Sequence, residues 1–171
     1  MSLCPFRDAA MLACSFKTAK DAYARCRWAR TVRTRRDGAV LEPAKGVYDV
    51  RVAPGANVQA AVDGCRPGGS VLLLPGEHNG PLVLEASKEV HVFGRRRATL
   101  QLADGHVITS DAATSTIDGL TLGRVPGGTE AGRGVWVRGG RLRVQACDIV
   151  GPTLAGVFVN GGADPIVVAT V

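Results

Sequence analysis

Five aspartates in the second half of the chain are the residues best suited to acid–base or metal chemistry. They are Asp104, Asp111, Asp118, Asp148 and Asp164. Glycoside hydrolysis and calcium binding both need two or more carboxylates at one place. Only Asp118 and Asp148 fall near equivalent positions of an internal repeat, one register apart, where they could converge. The alternative is that each aspartate hydrogen-bonds its own turn, and no catalytic residue is assigned.

Histidines and glycine pairs give no sign of a metal or phosphate site. His78, His91 and His106 are 13 and 15 residues apart, with no Glu or Cys at ligand spacing. We expect His78 to replace a packing aromatic residue and His91 to point outward from a strand. No Lys-Ser/Thr follows Gly139–Gly140 or Gly161–Gly162, so both are predicted to be tight turns. The sequence indicates no metal and no cofactor.

The cysteines indicate a reducing compartment. They are Cys4, Cys14, Cys26, Cys65 and Cys147. Their odd number, wide spacing and lack of a CxxC motif argue against a disulfide framework and a zinc site. Arg7 and Asp8 interrupt the first apolar stretch, which argues against a secretory signal, and no run of roughly 18 apolar residues predicts a membrane span. We therefore expect a cytoplasmic protein.

Basic charge is concentrated at the N-terminus. Residues 1–36 hold nine Lys or Arg and two Asp, a net charge of +7, whereas the other 135 residues hold twelve basic and thirteen acidic side chains, a net charge of −1. A uniformly basic domain that binds specific nucleic acid is therefore disfavoured.

Residues 8–30 are predicted to form a helix with one apolar face, and residues 31–38 a linker. Three interpretations of this basic helical arm stay open. It packs beside the main domain, it contacts an acidic partner, membrane or nucleic acid, or it is a mitochondrial presequence, against which Asp8 and Asp21 count. The predicted organisation is an arm and linker over residues 1–46 and a folded region over residues 47–171.

A seven-residue segment of the folded region recurs with an offset of 22 residues. Gly134–Gly140 (GVWVRGG) matches Gly156–Gly162 (GVFVNGG). An earlier copy has an offset of 27 residues and aligns Ile117 with Val144, Leu120 with Cys147, and Leu122 with Ile149. The extra five residues fall in the loop Gly123–Arg133. A repeat of this length predicts stacked coils that bury a continuous core and pair their strands in parallel.

The elements that surround the repeat fit an all-β fold. Asn57 is predicted to cap a short helix over Val58–Asp63 that Gly64 ends. The expected strands are Val50–Val52, Val71–Leu74, Leu82–Leu84, Val90–Phe93, Ala98–Leu102, Val107–Thr109, Ile117–Leu122, Val135–Arg138, Leu142–Ile149 and Val157–Asn160. We predict a parallel β-helix of about four coils with an N-terminal capping helix. Cys147 is expected to be an inert core thiol.

Two stretches carry a resemblance to known proteins. Val58–Gly94, with His78 in place of the usual aromatic residue, resembles the opening of pectin-lyase-like right-handed β-helix domains. Gly156–Val167 (GVFVNGGADPIV) resembles the repeats of non-catalytic carbohydrate-binding and F-box-associated β-helix modules. The resemblance implies a right-handed coil and either a binding module or a polysaccharide lyase or glycoside hydrolase. Family members have more coils, and no polar cap follows Val167–Val171, so the chain is expected to be a fragment or to pair through this coil.

Two surface features are candidate binding sites. Trp136 and Phe158 alternate with inward valines, so they should form an outward ladder on coils about 4.8 Å apart, flanked by Arg138 and Asn160. Exposed rings at this spacing suit a sugar or an apolar anchor of a partner. The alternative is that the Gly123–Arg133 loop covers them or that they form a packing ladder.

The second feature is a basic cluster of Arg95, Arg96 and Arg97 in a predicted turn. It is either a solvated turn or a contact for an acidic partner. We expect a non-catalytic domain that binds a protein or glycan partner through its coil surface. The alternatives are a fragment of a carbohydrate-active enzyme and a structural fragment without independent function. Self-association through the C-terminal coil is a further expectation.

Overall fold

The computed structural model describes residues 33–34, 40–41, 47–125, 128, 131–151 and 154–171. The chain divides into two compact units, residues 1–47 and residues 48–171. In the first unit, strands β1 (Arg33–Thr34) and β2 (Val40–Leu41) pair in antiparallel orientation. The helix predicted over residues 8–30 lies outside the described residues.

The described part of the second unit is mostly β, with one short helix. Its elements are β3 (Val50–Val52), α1 (Val58–Gly64), β4 (Gly69–Leu73), β5 (Gly76–Asn79), β6 (Leu82–Leu84), β7 (Val90–Leu102), β8 (Ile108–Ser110), β9 (Thr114–Arg124), β10 (Arg133–Val137), β11 (Arg141–Gln145), β12 (Asp148–Val150), β13 (Ala155–Val159) and β14 (Ile166–Val168).

Strands from successive coils stack in two sheets. The smaller sheet has the order β13–β10–β8–β6, and the larger has the order β14–β11–β9–β7–β4–β3, with β12 beside β9 and β5 beside β7. All of these pairings are parallel. The chain is therefore a parallel β-solenoid, of about five turns. The predicted all-β solenoid is confirmed, and the turns number about five where the sequence predicted about four.

Aliphatic columns inside the coils form the core. In the larger sheet Val71, Val92, Ile117 and Val144 occupy one column, in register from coil to coil. Each of them is fully buried. Burial of such a side chain contributes about 1.5–3 kcal/mol relative to leaving it exposed. No single coil provides this burial, so stacking is what stabilises the fold.

Helix α1 closes the first coil as the sequence predicted. The side chain of Asn57 accepts a hydrogen bond from the Ala60 amide at 2.9 Å, and Val58 and Val62 are buried against the core. The helix ends one residue later than expected, since Gly64 is its last residue. Cys65 is the C-cap, with an extended backbone.

Strand β7 is one element where the sequence predicted two. The predicted stop at Gly94 is a bend inside the strand, where the register to β9 shifts between Phe93 and Ala98. Arg95 and Arg96 have φ angles of 52° and 57° at this bend, in the left-handed region that L residues seldom adopt. The strand continues because backbone pairing with β9 resumes beyond it.

Later coils bend at the matching place. Gly119, Ala146 and Ala169 have φ angles of 63°, 51° and 47°. Ala146 donates its backbone N–H to the Val168 carbonyl at 3.0 Å, so the bends of successive coils lie side by side. Two alanines therefore hold a conformation that favours glycine.

Burial departs from the expected pattern at two places. Val135 and Val137 are fully buried as predicted, but Val159 is 43% exposed, because β13 is an edge strand. His91 alternates with the core residues Val90 and Val92, yet it is only 4% exposed rather than facing solvent.

No helix among the described residues combines the length and apolar character that a membrane crossing requires.

Candidate arginine–aromatic binding face

Strands β10 and β13 bring the two predicted aromatic residues together. They pair in parallel with Trp136 directly opposite Phe158, while Val135 pairs with Val157 on the alternate positions. The same column of the smaller sheet continues to Thr109 on β8. The 22-residue repeat therefore places both rings on neighbouring coils.

The two rings differ in exposure. Phe158 is 36% exposed, whereas Trp136 is half-buried. The ring of His106 meets the Trp136 ring edge-on, with centroids 4.8 Å apart and planes at 70°. The guanidinium carbons of Arg133 and Arg138 each lie 5.4 Å from the centroid of the Trp136 ring. Side chains of its own coil and of the preceding coil thus cover much of Trp136.

Arg133 is the central residue of this face, and sequence reasoning missed it. Its guanidinium carbon lies 4.1 Å from the Phe158 ring centroid as well as 5.4 Å from that of Trp136. One cation therefore lies against rings from two coils, which is a favourable cation–π arrangement. We call His106, Arg133, Trp136 and Phe158 the arginine–aromatic face.

Strand alternation gave no signal for Arg133. Strict alternation would place it on the same side as Val135 and Val137, yet its guanidinium lies over the outward rings. Arg133 is the first residue of β10, and both Gly134 and Val135 after it are buried. Alternation is therefore broken where the strand begins, and only the proximity of Arg133 to Trp136 in sequence was available as a signal.

Two donors of this face are buried and have no hydrogen-bond partner among the residues that the structure describes. They are Nε of Arg133 and Nε1 of Trp136. The backbone N–H of Arg133 is satisfied, since it donates to Nδ1 of His106 at 3.2 Å. A buried donor without an acceptor costs about 1–3 kcal/mol, so these two atoms mark a place where an added acceptor would be stabilising.

The predicted flanking residues have other roles. Arg138 forms an ion pair with Asp111, and its Nε donates to Asp111 Oδ1 at 3.1 Å. The pair leaves Arg138 locally neutralised. Asn160 is exposed just after β13, and its backbone N–H donates to the Val137 carbonyl at 3.0 Å.

His106 keeps the local charge low. Burial, and secondarily the positive charge of Arg133, lower the pKa of His106 below its ordinary value of 6.5. The ring is therefore neutral at pH 7, consistent with Nδ1 acting as an acceptor. With Arg138 paired, Arg133 supplies the net positive charge of the face.

The cluster of Arg95, Arg96 and Arg97 belongs to a different part of the solenoid. The three side chains are exposed at the bend of β7, in the larger sheet. Nε of Arg95 donates to the Tyr48 hydroxyl at 3.2 Å, and its guanidinium lies 5.3 Å from the Tyr48 ring centroid. The structure does not place these arginines on the arginine–aromatic face.

Four of the five aspartates considered for catalysis are held by neighbouring side chains. Asp118 accepts a hydrogen bond from Gln145 Nε2 at 2.7 Å. Asp148 pairs in register with Thr121, three residues along β9 from Asp118. Of the others, Asp104 and Asp164 face Arg124 and Arg141 at 3.8 and 3.4 Å, and Asp111 faces Arg138. Within the described ranges, no three His, Cys, Asp or Glu side chains cluster as a metal site would require.

The two described cysteines are buried free thiols. Burial is the main cause that raises the pKa of Cys147 to about 11, and burial also raises the pKa of Cys65. A thiol with a raised pKa is a poor nucleophile at neutral pH. The structural role predicted for Cys147 fits this environment.

Comparison of the chain with protein-family models, with curated proteins and with solved structures finds no match. What the coordinates define is a class of protein, a parallel β-solenoid. In this chain, the guanidinium group of Arg133 lies against aromatic rings of two coils.

Proposed function

We propose that the solenoid is a non-catalytic binding module that holds a protein partner on its arginine–aromatic face. The observation that carries the proposal is Arg133, which lies against Trp136 and Phe158 while Phe158 keeps 36% of its surface exposed. Arg and Trp are the residue types enriched at the centres of protein interfaces. Rigid sheets also hold these side chains in place before a partner arrives, which lowers the entropy cost of binding.

A protein partner fits this face better than a glycan. Stacking on a sugar ring needs an open, flat aromatic surface, and both rings here already carry a guanidinium group. Leu154 adds exposed apolar surface close to Arg133, because it is 57% exposed and its backbone N–H donates to the Gly132 carbonyl at 3.2 Å. Apolar surface beside a cationic centre suits a polypeptide with mixed apolar and polar side chains.

The non-catalytic part of the proposal rests on the aspartates. Asp104, Asp111 and Asp164 each face an arginine, and Asp118 accepts from Gln145. Carboxylates held in this way act as structural links between coils. A fragment of a carbohydrate-active enzyme would instead need a converging pair.

The test is selection of ligands on the intact chain, with a nonapeptide phage library and, in parallel, a panel of neutral and uronate oligosaccharides. We expect selected peptides to lose at least tenfold in affinity on Phe158→Ser. The matched control is Val125→Ser, since Val125 is 37% exposed, and it should change affinity less than twofold. Oligosaccharide binding that depends on Phe158, or peptide binding that ignores Phe158→Ser, would overturn the proposal.

A second candidate function, self-association, has separate support. The exposed large apolar residues of the described chain are concentrated in its last coil, where Val159, Val167 and Val168 are 43–47% exposed. Edge strands with such side chains pair readily with other strands. Sedimentation velocity between 1 and 100 μM tests this candidate. Val167→Lys should abolish a concentration-dependent dimer, and a constant monomer would remove the candidate.

A further inference from the structure

Resting on the proposed function, we propose that the protein partner contributes an Asp or Glu side chain whose carboxylate binds the guanidinium of Arg133. The site is the arginine–aromatic face, and the ligand is an acidic residue flanked by apolar residues in a polypeptide segment. Four steps lead from the described contacts to this ligand chemistry.

The first step is a difference between Arg133 and four other arginines. Arg66, Arg124, Arg138 and Arg141 each face an aspartate of this chain. Arg133 has no carboxylate within ion-pair distance among the residues the structure describes. A guanidinium group in a partly buried place is ordinarily paired, and that of Arg133 lies against the exposed Phe158 ring, where a partner can supply the counter-charge.

The second step concerns the donors. Nε of Arg133 and Nε1 of Trp136 are buried without acceptors. A carboxylate offers two oxygens and accepts several hydrogen bonds. Arginine binds a carboxylate through two parallel N–H groups. An amide or hydroxyl group of a partner lacks the negative charge and the second acceptor oxygen that this geometry needs. A small turn of the Arg133 side chain on the rings would present its Nε edge to such a group.

The third step is orientation. The Phe158 ring lies 4.1 Å from the guanidinium carbon, and the Trp136 ring lies 5.4 Å away on the neighbouring strand. Contacts with two rings restrict the rotamers of a side chain that is otherwise flexible. Less conformational entropy is then lost on binding.

The fourth step is charge selection. Asp111 neutralises Arg138, and His106 is neutral while its Nδ1 accepts from Arg133. Among the residues that the structure describes, the face therefore carries one uncompensated positive charge, beside the exposed ring of Phe158. The surrounding apolar surface lowers the local dielectric constant, so a single carboxylate gains more from this charge than it would at an open surface.

The experiment measures the affinity of library-selected, fluorescein-labelled nonapeptides for the whole chain by anisotropy at 150 mM salt. We expect the selected sequences to share an Asp or Glu between apolar residues. Replacing that Glu by Gln in the peptide, or Arg133→Met in the protein, should each weaken binding 10–100-fold. Combining the two changes should add less than threefold, because both remove the same ion pair. Arg133→Lys should fall between, since it keeps the charge without the fork.

Arg138 supplies the matched control, since its guanidinium lies at the same 5.4 Å from the Trp136 ring. The double variant Asp111→Asn/Arg138→Met removes an existing pair at constant net charge and should change affinity less than threefold. Far-UV circular dichroism of each variant confirms that the solenoid is folded.

Each outcome is decisive for one of the two proposals. Peptides that lack acidic residues, or that bind the Arg133→Met variant as tightly, would overturn the carboxylate proposal and leave protein binding standing. A library that yields no peptide would overturn the proposed function. Uronate oligosaccharides that bind through Arg133 would show that the carboxylate comes from a glycan and would overturn the choice of a protein partner.

Discussion

The two edge strands of the smaller sheet, β6 and β13, differ in what lies beside them. At β6, the side-chain amide of Gln59 donates to the Val83 carbonyl at 3.1 Å and accepts from the Val83 amide at 2.7 Å. It takes the place of a neighbouring strand. At β13 the same sheet presents Phe158 and Val159, which are 36% and 43% exposed.

The comparison extends to the helix that accompanies β6. Val58 and Val62 of α1 are buried on the core, and Lys88 Nζ donates to the Val62 carbonyl at 3.0 Å. Polar groups thus satisfy the backbone where the coil begins, and apolar side chains stay accessible where β13 lies. The edge that is closed serves stability, and the edge that is open carries the surface proposed for binding.

The largest expected effect separates core from edge. Leu73→Ala removes a fully buried side chain near the helix-capped coil and should lower the free energy of unfolding by about 2–5 kcal/mol. Val159→Ala should lower it by less than about 0.5 kcal/mol, as expected for a surface site. Urea unfolding followed by circular dichroism measures both, and equal losses would break the distinction between the two edges.

A smaller effect tests whether the side chain of Gln59 closes the β6 edge of the smaller sheet. Gln59→Ala leaves the Val83 N–H and carbonyl without their partner and should cost about 1–2 kcal/mol. Hydrogen exchange at the Val83 amide should accelerate at least tenfold. Asn160→Ala beside β13 is the control and should change stability by less than about 0.5 kcal/mol. Unchanged exchange at Val83 would show that Gln59 does not close the edge.

The bends at Ala146 and Ala169 allow an inner coil to be compared with the last coil. Ala146 and Ala169 hold φ angles of 51° and 47°, where an L residue is strained by about 1–2 kcal/mol. Ala146→Gly should therefore stabilise the fold by about 0.5–1 kcal/mol, after subtraction of the extra chain entropy of glycine. Ala169→Gly should stabilise it less, because edge segments open locally before global unfolding. A thermal denaturation series checks the order, and a loss of stability on Ala146→Gly would refute the strain.

The smallest effect is a pH dependence at the arginine–aromatic face. The pKa of His106 is lowered in the folded protein from 6.5, so the unfolded chain takes up the proton first as the pH falls. The stability contributed by neutral His106 is present above about pH 6.5 and is lost below it. Urea midpoints of wild type should fall from pH 7.5 to 5.5 more steeply than those of His106→Gln. Parallel slopes would contradict the account.

Sequence reasoning recovered the features that depend on local chemistry and on the repeat. Asn57 predicted the start of α1, and the 22-residue offset predicted the pairing of Trp136 with Phe158. A capping residue acts over a few positions and a repeat is periodic, so both can be recognised from the sequence alone. The continuation of β7 through the predicted turn at Arg95 and Arg96 was not predicted, because pairing with β9 compensates there for an unfavourable backbone conformation.

The central residue of the face required the structure. Arg133 is the last residue of the predicted loop Gly123–Arg133. Its position over two rings depends on how β10 stacks on β13. His106, twenty-seven residues upstream of Arg133, meets Trp136 only because the coils are in register. Side-chain contacts between coils depend on the exact number of residues in each coil. The irregular offsets of 22 and 27 residues did not determine that number for every coil.

The most direct test follows the two buried donors themselves by NMR. In ¹H–¹⁵N spectra of the whole chain, a capped nonapeptide with Glu between two leucines should shift the Arg133 Nε–H and Trp136 Nε1–H resonances together, while the Arg138 Nε–H resonance stays in place. The Gln version of the peptide should shift neither. Unmoved Arg133 and Trp136 resonances at millimolar Glu peptide, or equal shifts with the Gln peptide, would contradict the account.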